Sequence, residues 1–204
     1  MTAVQAVRQT EQRGTPTDGA AGPAARPLWQ VALGVMFNPG SVVEAAAGKS
    51  PVGALAISGA AFALFFFQTG LDVARQTGAG IGAAGVLAAI GAAYGTLGMA
   101  VIALMAWALC LPFKSGHSPM WAVRAFGVAY SPALLYALLG LPFNLLLGWN
   151  TALSFGVTGV LWAFSPTMST LKSMTNGSLG ASALYATITG GLLLFGWSFL
   201  GTGR

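Results

Sequence analysis

From residue 51 onward this chain is apolar with few interruptions. Between Pro51 and Gly203 the charged residues are Asp72, Arg75, Lys114, Arg124 and Lys172. The uncharged runs between them, residues 52–71, 76–113, 125–171 and 173–203, all reach the ~20 residues that a helix needs to cross a hydrocarbon layer ~30 Å thick. Cap and turn residues divide these runs into five predicted spans. Ser50-Pro51 reads as an N-cap with proline in the first turn, opening a span that runs to about Leu71. The second span lies within residues 79–113 and stops before Lys114. Ser118-Pro119 repeats the cap-plus-proline signal and opens a third span, which bends or breaks at Pro132 and ends near Pro142. An uncharged turn over residues 145–149 leads to a fourth span ending near Met168. Asn176-Gly177 then marks the turn into a fifth, Leu179–Leu200.

Ahead of the spans, Leu28–Phe37 is apolar but too short to cross, and Trp29 beside Arg26 suits the membrane interface. Asn38-Pro39-Gly40 is a turn. Ser41-Val42-Val43-Glu44 matches a capping box, which gives Glu44 a structural task. The pattern predicts an all-α, polytopic helical membrane protein with about five transmembrane helices. Its expected parts are a flexible tail over 1–27, interfacial pre-membrane helices over 28–49 and a five-helix membrane domain over 50–204.

Composition agrees: 55% of residues are hydrophobic and 6% charged, where soluble domains carry roughly a quarter charged. The net charge of +5 does not form a nucleic-acid-binding face, because the basic residues sit at the ends of apolar runs, where they meet lipid headgroups. The bilayer is therefore the expected partner, and nucleic acid is not. With an inside N-terminus, the inside segments hold Arg8, Arg13, Arg26, Lys49, Lys114, Arg124 and Lys172, and the outside segments hold Arg75 and Arg204. That bias predicts N-inside, C-outside, and short loops without sorting signals suggest a prokaryotic cytoplasmic membrane. Residues 1–26 lack the apolar core of a secretory signal. Cys110 is the single cysteine, expected as a small buried hydrophobe without an internal disulfide.

Candidate chemistry is sparse. Gly80-Ile81-Gly82-Ala83-Ala84-Gly85 spells a dinucleotide-binding fingerprint, but it opens a span instead of following a strand. Small residues at this density suit close helix packing, with Gly85, Gly91, Gly95 and Gly98 as the contact positions, inside the bundle or against another chain. His117, the only histidine, reads as a solvated loop residue without companion ligands. Asp72 and Arg75, three apart, read as an ordinary surface pair. No acid or base is predicted at the middle of a span, which argues against a proton or ion pump. A neutral-solute path lined by Gln68, Tyr94, Tyr130, Asn144 and Ser or Thr hydroxyls stays open. No catalytic residue, metal site or cofactor is expected.

Three stretches resemble the Yip family, membrane proteins named for interaction with Ypt/Rab GTPases and also widespread in prokaryotes. They are Phe37-Asn38-Pro39 between two short pre-membrane helices, the loop and helix from Gly116 through Ala129-Tyr130-Ser131-Pro132, and the five-span layout with basic inside loops. Asn38, Pro39, Tyr130 and Pro132 match that pattern as structural positions. The resemblance, over roughly 29–200, implies a non-enzymatic adaptor. No acidic Asp-Leu-Tyr-Gly-Pro-like element precedes the first span, so a GTPase-binding role does not carry over. The expected function is a non-enzymatic adaptor or scaffold that packs against membrane partners, associates with itself or organises the bilayer. The alternatives are a permease or channel-like carrier of a small neutral or lipidic solute, and an accessory subunit of a larger membrane complex.

Overall fold

The computed structural model describes residues 27–47, 49–78 and 80–202. The expected tail over 1–27, apart from Pro27, and the terminal Arg204 lie outside the described residues. Two short helices, α1 (Leu28–Phe37) and α2 (Val42–Ala47), flank a 3-10 turn at Pro39–Ser41. Five long helices follow: α3 (Pro51–Thr77), α4 (Gly82–Phe113), α5 (Pro119–Leu147), α6 (Thr151–Met174) and α7 (Leu179–Thr202). Short connections make consecutive long helices antiparallel. Thus α3, α5 and α7 run from one end of the bundle to the other, and α4 and α6 run back.

Helices α3, α4, α5 and α7 are long and apolar enough to cross a membrane. Helix α6 has similar length but carries eight Ser or Thr and Lys172. Its hydroxyls turn back onto their own helix: Thr158, Thr167 and Thr170 donate to the carbonyls of Ser154, Ala163 and Pro166 at 2.7–3.0 Å. Hydroxyls bonded to the carbonyl four residues back need no water, so the helix tolerates an apolar surround.

Helix α3 is the hub, packing against α4, α5 and α6. Phe62, Phe65 and Phe66 point from it into the core and are fully buried. Against α4, glycines bring the two backbones together. A Cβ on Gly91 or Gly95 would lie 2.5 Å from the Phe62 or Ser58 carbonyl oxygen. At that crossing α4 loosens into a π-helical turn, Tyr94–Gly98, and the Ser58 hydroxyl donates to the Gly95 carbonyl at 2.6 Å. Helix α7 is held by two aromatic contacts. The Tyr94 hydroxyl donates to the Leu193 carbonyl at 2.7 Å, and Trp197 fills a notch over Gly156.

Helix α5 breaks at Tyr130 and resumes at Ser131, two residues before the expected bend or break at Pro132. Proline cannot donate to the carbonyl four residues back, that of Val128, and the Ser131 hydroxyl does so instead at 2.5 Å. Ser50 and Ser118 cap α3 and α5 through Gly53 N and Trp121 N, at 3.0 and 3.1 Å. Asn176 and Gly177 both have positive φ and form the turn before α7.

Several boundaries differ from the sequence reading. Helix α3 continues past Leu71 to Thr77 and stops at Gly78, which has φ +72°. Helix α5 runs through Pro142 to Leu147 and ends at Gly148, with Trp149 N donating to the Phe143 carbonyl. Helix α6 continues past Met168 to Met174. The first two extensions carry the polar residues described below, whose tertiary bonds hold those turns. The capping box is not formed as expected. The Ser41 hydroxyl donates back to the Asn38 carbonyl at 2.7 Å, and Glu44 is exposed on α2. Helix α1 packs on α5 and α6, and α2 on α5 and α6, with Val31, Val35, Val42 and Ala46 buried.

Candidate functional site

Gln68, Asp72 and Arg75 lie four and three residues apart, so they share one face of α3. That face is continuous with Ala61 and Phe65 and turns inward, and it meets Asn144 on α5 and the first turn of α6. Asn144 Nδ2 donates to Asp72 Oδ1 at 2.7 Å and to Thr151 Oγ1 at 3.0 Å. Thr151 Oγ1 donates to Gln68 Oε1 at 2.8 Å, and Gln68 Nε2 donates to the Ala137 carbonyl at 2.8 Å. The Arg75 guanidinium donates to Asp72 Oδ1 at 3.3 Å and to the Asn144 carbonyl at 2.9 Å. It also bonds the Asn144 side-chain oxygen and reaches the Trp149 carbonyl at 3.5 Å. Gln68, Asn144 and Thr151 are at most 1% exposed and Asp72 is 8% exposed. Among the described residues, each buried side-chain nitrogen or oxygen has a partner.

The pair read as a surface ion pair is therefore the centre of a clamp across α3, α5 and α6. Asp72 Oδ1 is occupied by Asn144 and Arg75, whereas Oδ2 has a longer contact, 3.4 Å, from the backbone N–H of Ala152. An acidic oxygen at the start of α6 is also favoured by that helix's dipole. On the far side of Asp72 from α5, a cleft of about 460 Å³ opens between α3, α6 and α7. Val73, Leu153, Val157 and Trp197 supply apolar walls, and Gln76 and Asn150 border it near Asp72. A second cavity of about 240 Å³ lies further along between α6 and α7, with Tyr130 on its wall.

The opposite end of the bundle collects the basic residues. Lys49 precedes α3, Lys114 follows α4, Arg124 lies in the first turns of α5 and Lys172 in the last turn of α6. Side chains tie this end together. Asn176 donates to the Phe113 carbonyl, and Trp107 donates to the His117 carbonyl at 2.8 Å. His117 is not a free loop residue. Its Nε2 is 2.8 Å from Ser173 Oγ, and its ring stacks on Trp121 at 3.8 Å. No group of three or more metal-ligating side chains occurs among the described residues.

Compared with protein-family models, curated proteins and solved structures, the chain matches none.

Of the glycines singled out for packing, Gly91 and Gly95 meet α3 inside the bundle. Gly85 is exposed with open space where a Cβ would sit, and a Cβ on Gly98 would meet the ring of Tyr94. The partner glycines on α3, Gly59 and Gly70, were not apparent from any short motif. A Cβ on either would lie 2.6 or 2.4 Å from α4 atoms. Asn38 and Pro39 form the turn into the 3-10 segment, and Tyr130 and Pro132 are buried at the break in α5. The four residues suggested for a solute path do not form one line. Gln68 and Asn144 belong to the clamp, Tyr94 is bonded to α7, and Tyr130 borders the smaller cavity. Asp72 and Arg75 were expected as a surface pair and not as part of a buried cluster, and Thr151 was not singled out. The signal that could have found them is the i, i+4, i+7 spacing of Gln68, Asp72 and Arg75 on the aromatic-rich face of α3.

Proposed function

We propose that this chain is a non-enzymatic integral membrane protein that works as an adaptor or organiser, presenting apolar flanks to neighbouring spans and lipid. The observation that carries this reading is the contrast between helices. Over their apolar windows, α3 and α5 are 50% and 61% buried, against 28% for α4 and 22% for α7. Val86, Leu97 and Val101 on α4, and Leu184, Phe195 and Phe199 on α7, face outward. Faces of this kind suit lipid tails and other transmembrane helices. The clamp supports the same reading, because its polar groups are bonded to one another apart from Asp72 Oδ2, which has a single long contact. The Yip-like stretches Phe37-Asn38-Pro39 and Ala129-Tyr130-Ser131-Pro132 add the adaptor class by resemblance. The gathering of Lys49, Lys114, Arg124 and Lys172 at one end supports placing that end inside.

The test is purification from native membranes in a lipid-preserving polymer, followed by protein and lipid mass spectrometry. A stoichiometric membrane-protein partner or self-association is expected, weakened when Val86, Leu97 and Val101 are changed to Ala. If neither association is found, the adaptor reading falls. A carrier of a small neutral or lipidic solute is the second reading, favoured by the cleft beside Asp72. It requires solute flux in proteoliposomes that is lost in an Asn144→Ala variant.

A further inference from the structure

The cleft beside Asp72 and the smaller cavity follow one another along α6 and α7 and meet at Leu194, and together they are called the seam. Val157, Val160, Leu161 and Phe164 follow one another on one face of α6, spaced by three or four residues with Val160 and Leu161 adjacent. Leu194 on α7 lines both cavities. Gly190 and Gly191 border the far cavity, and a Cβ on either would meet nothing within 4 Å. The far cavity is mainly apolar, its Thr167 and Thr187 hydroxyls donating to their own helices, and the near end at Asp72 is polar. At that end the carboxylate is nearly buried, with a side-chain exposure of 11%, and Oδ2 is turned to α6 and away from Arg75's contacts on α5.

We propose that this seam binds a neutral lipid of the acylglycerol class, its chain between α6 and α7 and its head hydroxyl donating to Asp72 Oδ2. It rests on the reading of the chain as a lipid-embedded protein and goes beyond it by assigning a specific occupant. The charge at the polar end selects the head. Asp72 and Arg75 together are neutral, an anionic head would meet the carboxylate, and a cationic head would meet a carboxylate already neutralised by Arg75. A hydroxyl can add a charge-assisted hydrogen bond at Oδ2 beside the long backbone contact from Ala152, because a carboxylate oxygen accepts more than one. Gln76 and Asn150 at the rim supply donors and acceptors for a second hydroxyl or an ester. The larger cavity alone lies within the ~300–1,000 Å³ range of small-ligand sites.

The full chain in lipid nanodiscs would be photolabelled with a monoacylglycerol bearing a diazirine in its chain, and the labelled peptides mapped. Labelling should concentrate on residues 153–164 and 187–198, above the background on the outer face of α4. Gly190→Leu adds bulk at the far cavity, where a Cβ meets nothing within 4 Å, and it should remove the excess while leaving the α4 background and the melting midpoint unchanged. Asp72→Asn should weaken saturable labelling about tenfold, the loss of one hydrogen bond to a charged group. A diazirine phosphatidylglycerol should label the seam no more than background. Even labelling of all outward faces, or an excess insensitive to Gly190→Leu, overturns the seam site while the membrane reading stands. Equal seam labelling by both probes overturns the head assignment, and no labelling on any helix overturns the membrane reading itself.

Discussion

Asp72 shows how much one side chain decides here. It is a carboxylate one and a half turns from the end of α3, and it accepts from Asn144, Arg75 and the α6 backbone. Burying such a group costs free energy unless these donors are present, so the three helices must meet in one register. Replacing Asp72 with Ala removes one acceptor each from Asn144 and Arg75, which keep Thr151 and the Asn144 and Trp149 oxygens. It is expected to lower stability by about 2 kcal/mol, less than for a fully buried pair because Arg75 is partly exposed. Chemical unfolding in detergent measures this, and an unchanged midpoint would mean that the clamp contributes nothing. Ser131 is a smaller case of the same logic. Ser131→Ala frees the Val128 carbonyl at the break and should cost about 0.6 kcal/mol, typical of a side-chain hydrogen bond inside a membrane protein.

At the scale of elements, the α3–α4 pair is decided by glycine on both sides. Gly91 and Gly95 sit against the backbone of α3, whereas Gly85 faces open space one and a half turns away. Gly95→Leu must push the helices apart against the Ser58 and Phe62 contacts, and it should cost about 3 kcal/mol, with loss of the folded peak in size-exclusion chromatography. Gly85→Leu should leave that peak and the melting midpoint unchanged. Because Gly91 and Gly95 are spent inside the bundle, changes there report on folding. Changes at Val86, Leu97 and Val101 on the outer face of α4 are the ones that would test the proposed association.

Over the whole molecule, the two ends differ in chemistry. One carries Lys49, Lys114, Arg124 and Lys172. The other carries the Asp72–Arg75 pair and the turn at Gly148. With Cys110 replaced by Ser, a Lys172→Cys variant is expected to react with a membrane-impermeant maleimide only after the inner face is opened. A Trp149→Cys variant should react from outside without that step. A reversed result would invert the orientation and keep the fold, whereas labelling of both from one side would contradict the antiparallel course of α6.

Much of this architecture was legible in the chain. The scarcity of charge implied lipid as the surround, Ser-Pro pairs marked the starts of α3 and α5, and Pro132 marked the break, because each of these acts through local backbone chemistry or bulk solvation. The ends of α3 and α5 were not legible, since residues 72–77 and 143–147 are held helical by bonds between helices. The pairing of Gln68, Asp72 and Arg75 with Asn144 and Thr151, the fit of Gly59 and Gly70 to α4, and the open seam beside α7 belong to the tertiary structure alone. A sequence states which groups are costly to bury and how often they recur along a helix. Which helix face meets which, and so which partner satisfies each polar group, is decided only when the packed backbones bring distant residues within hydrogen-bonding distance.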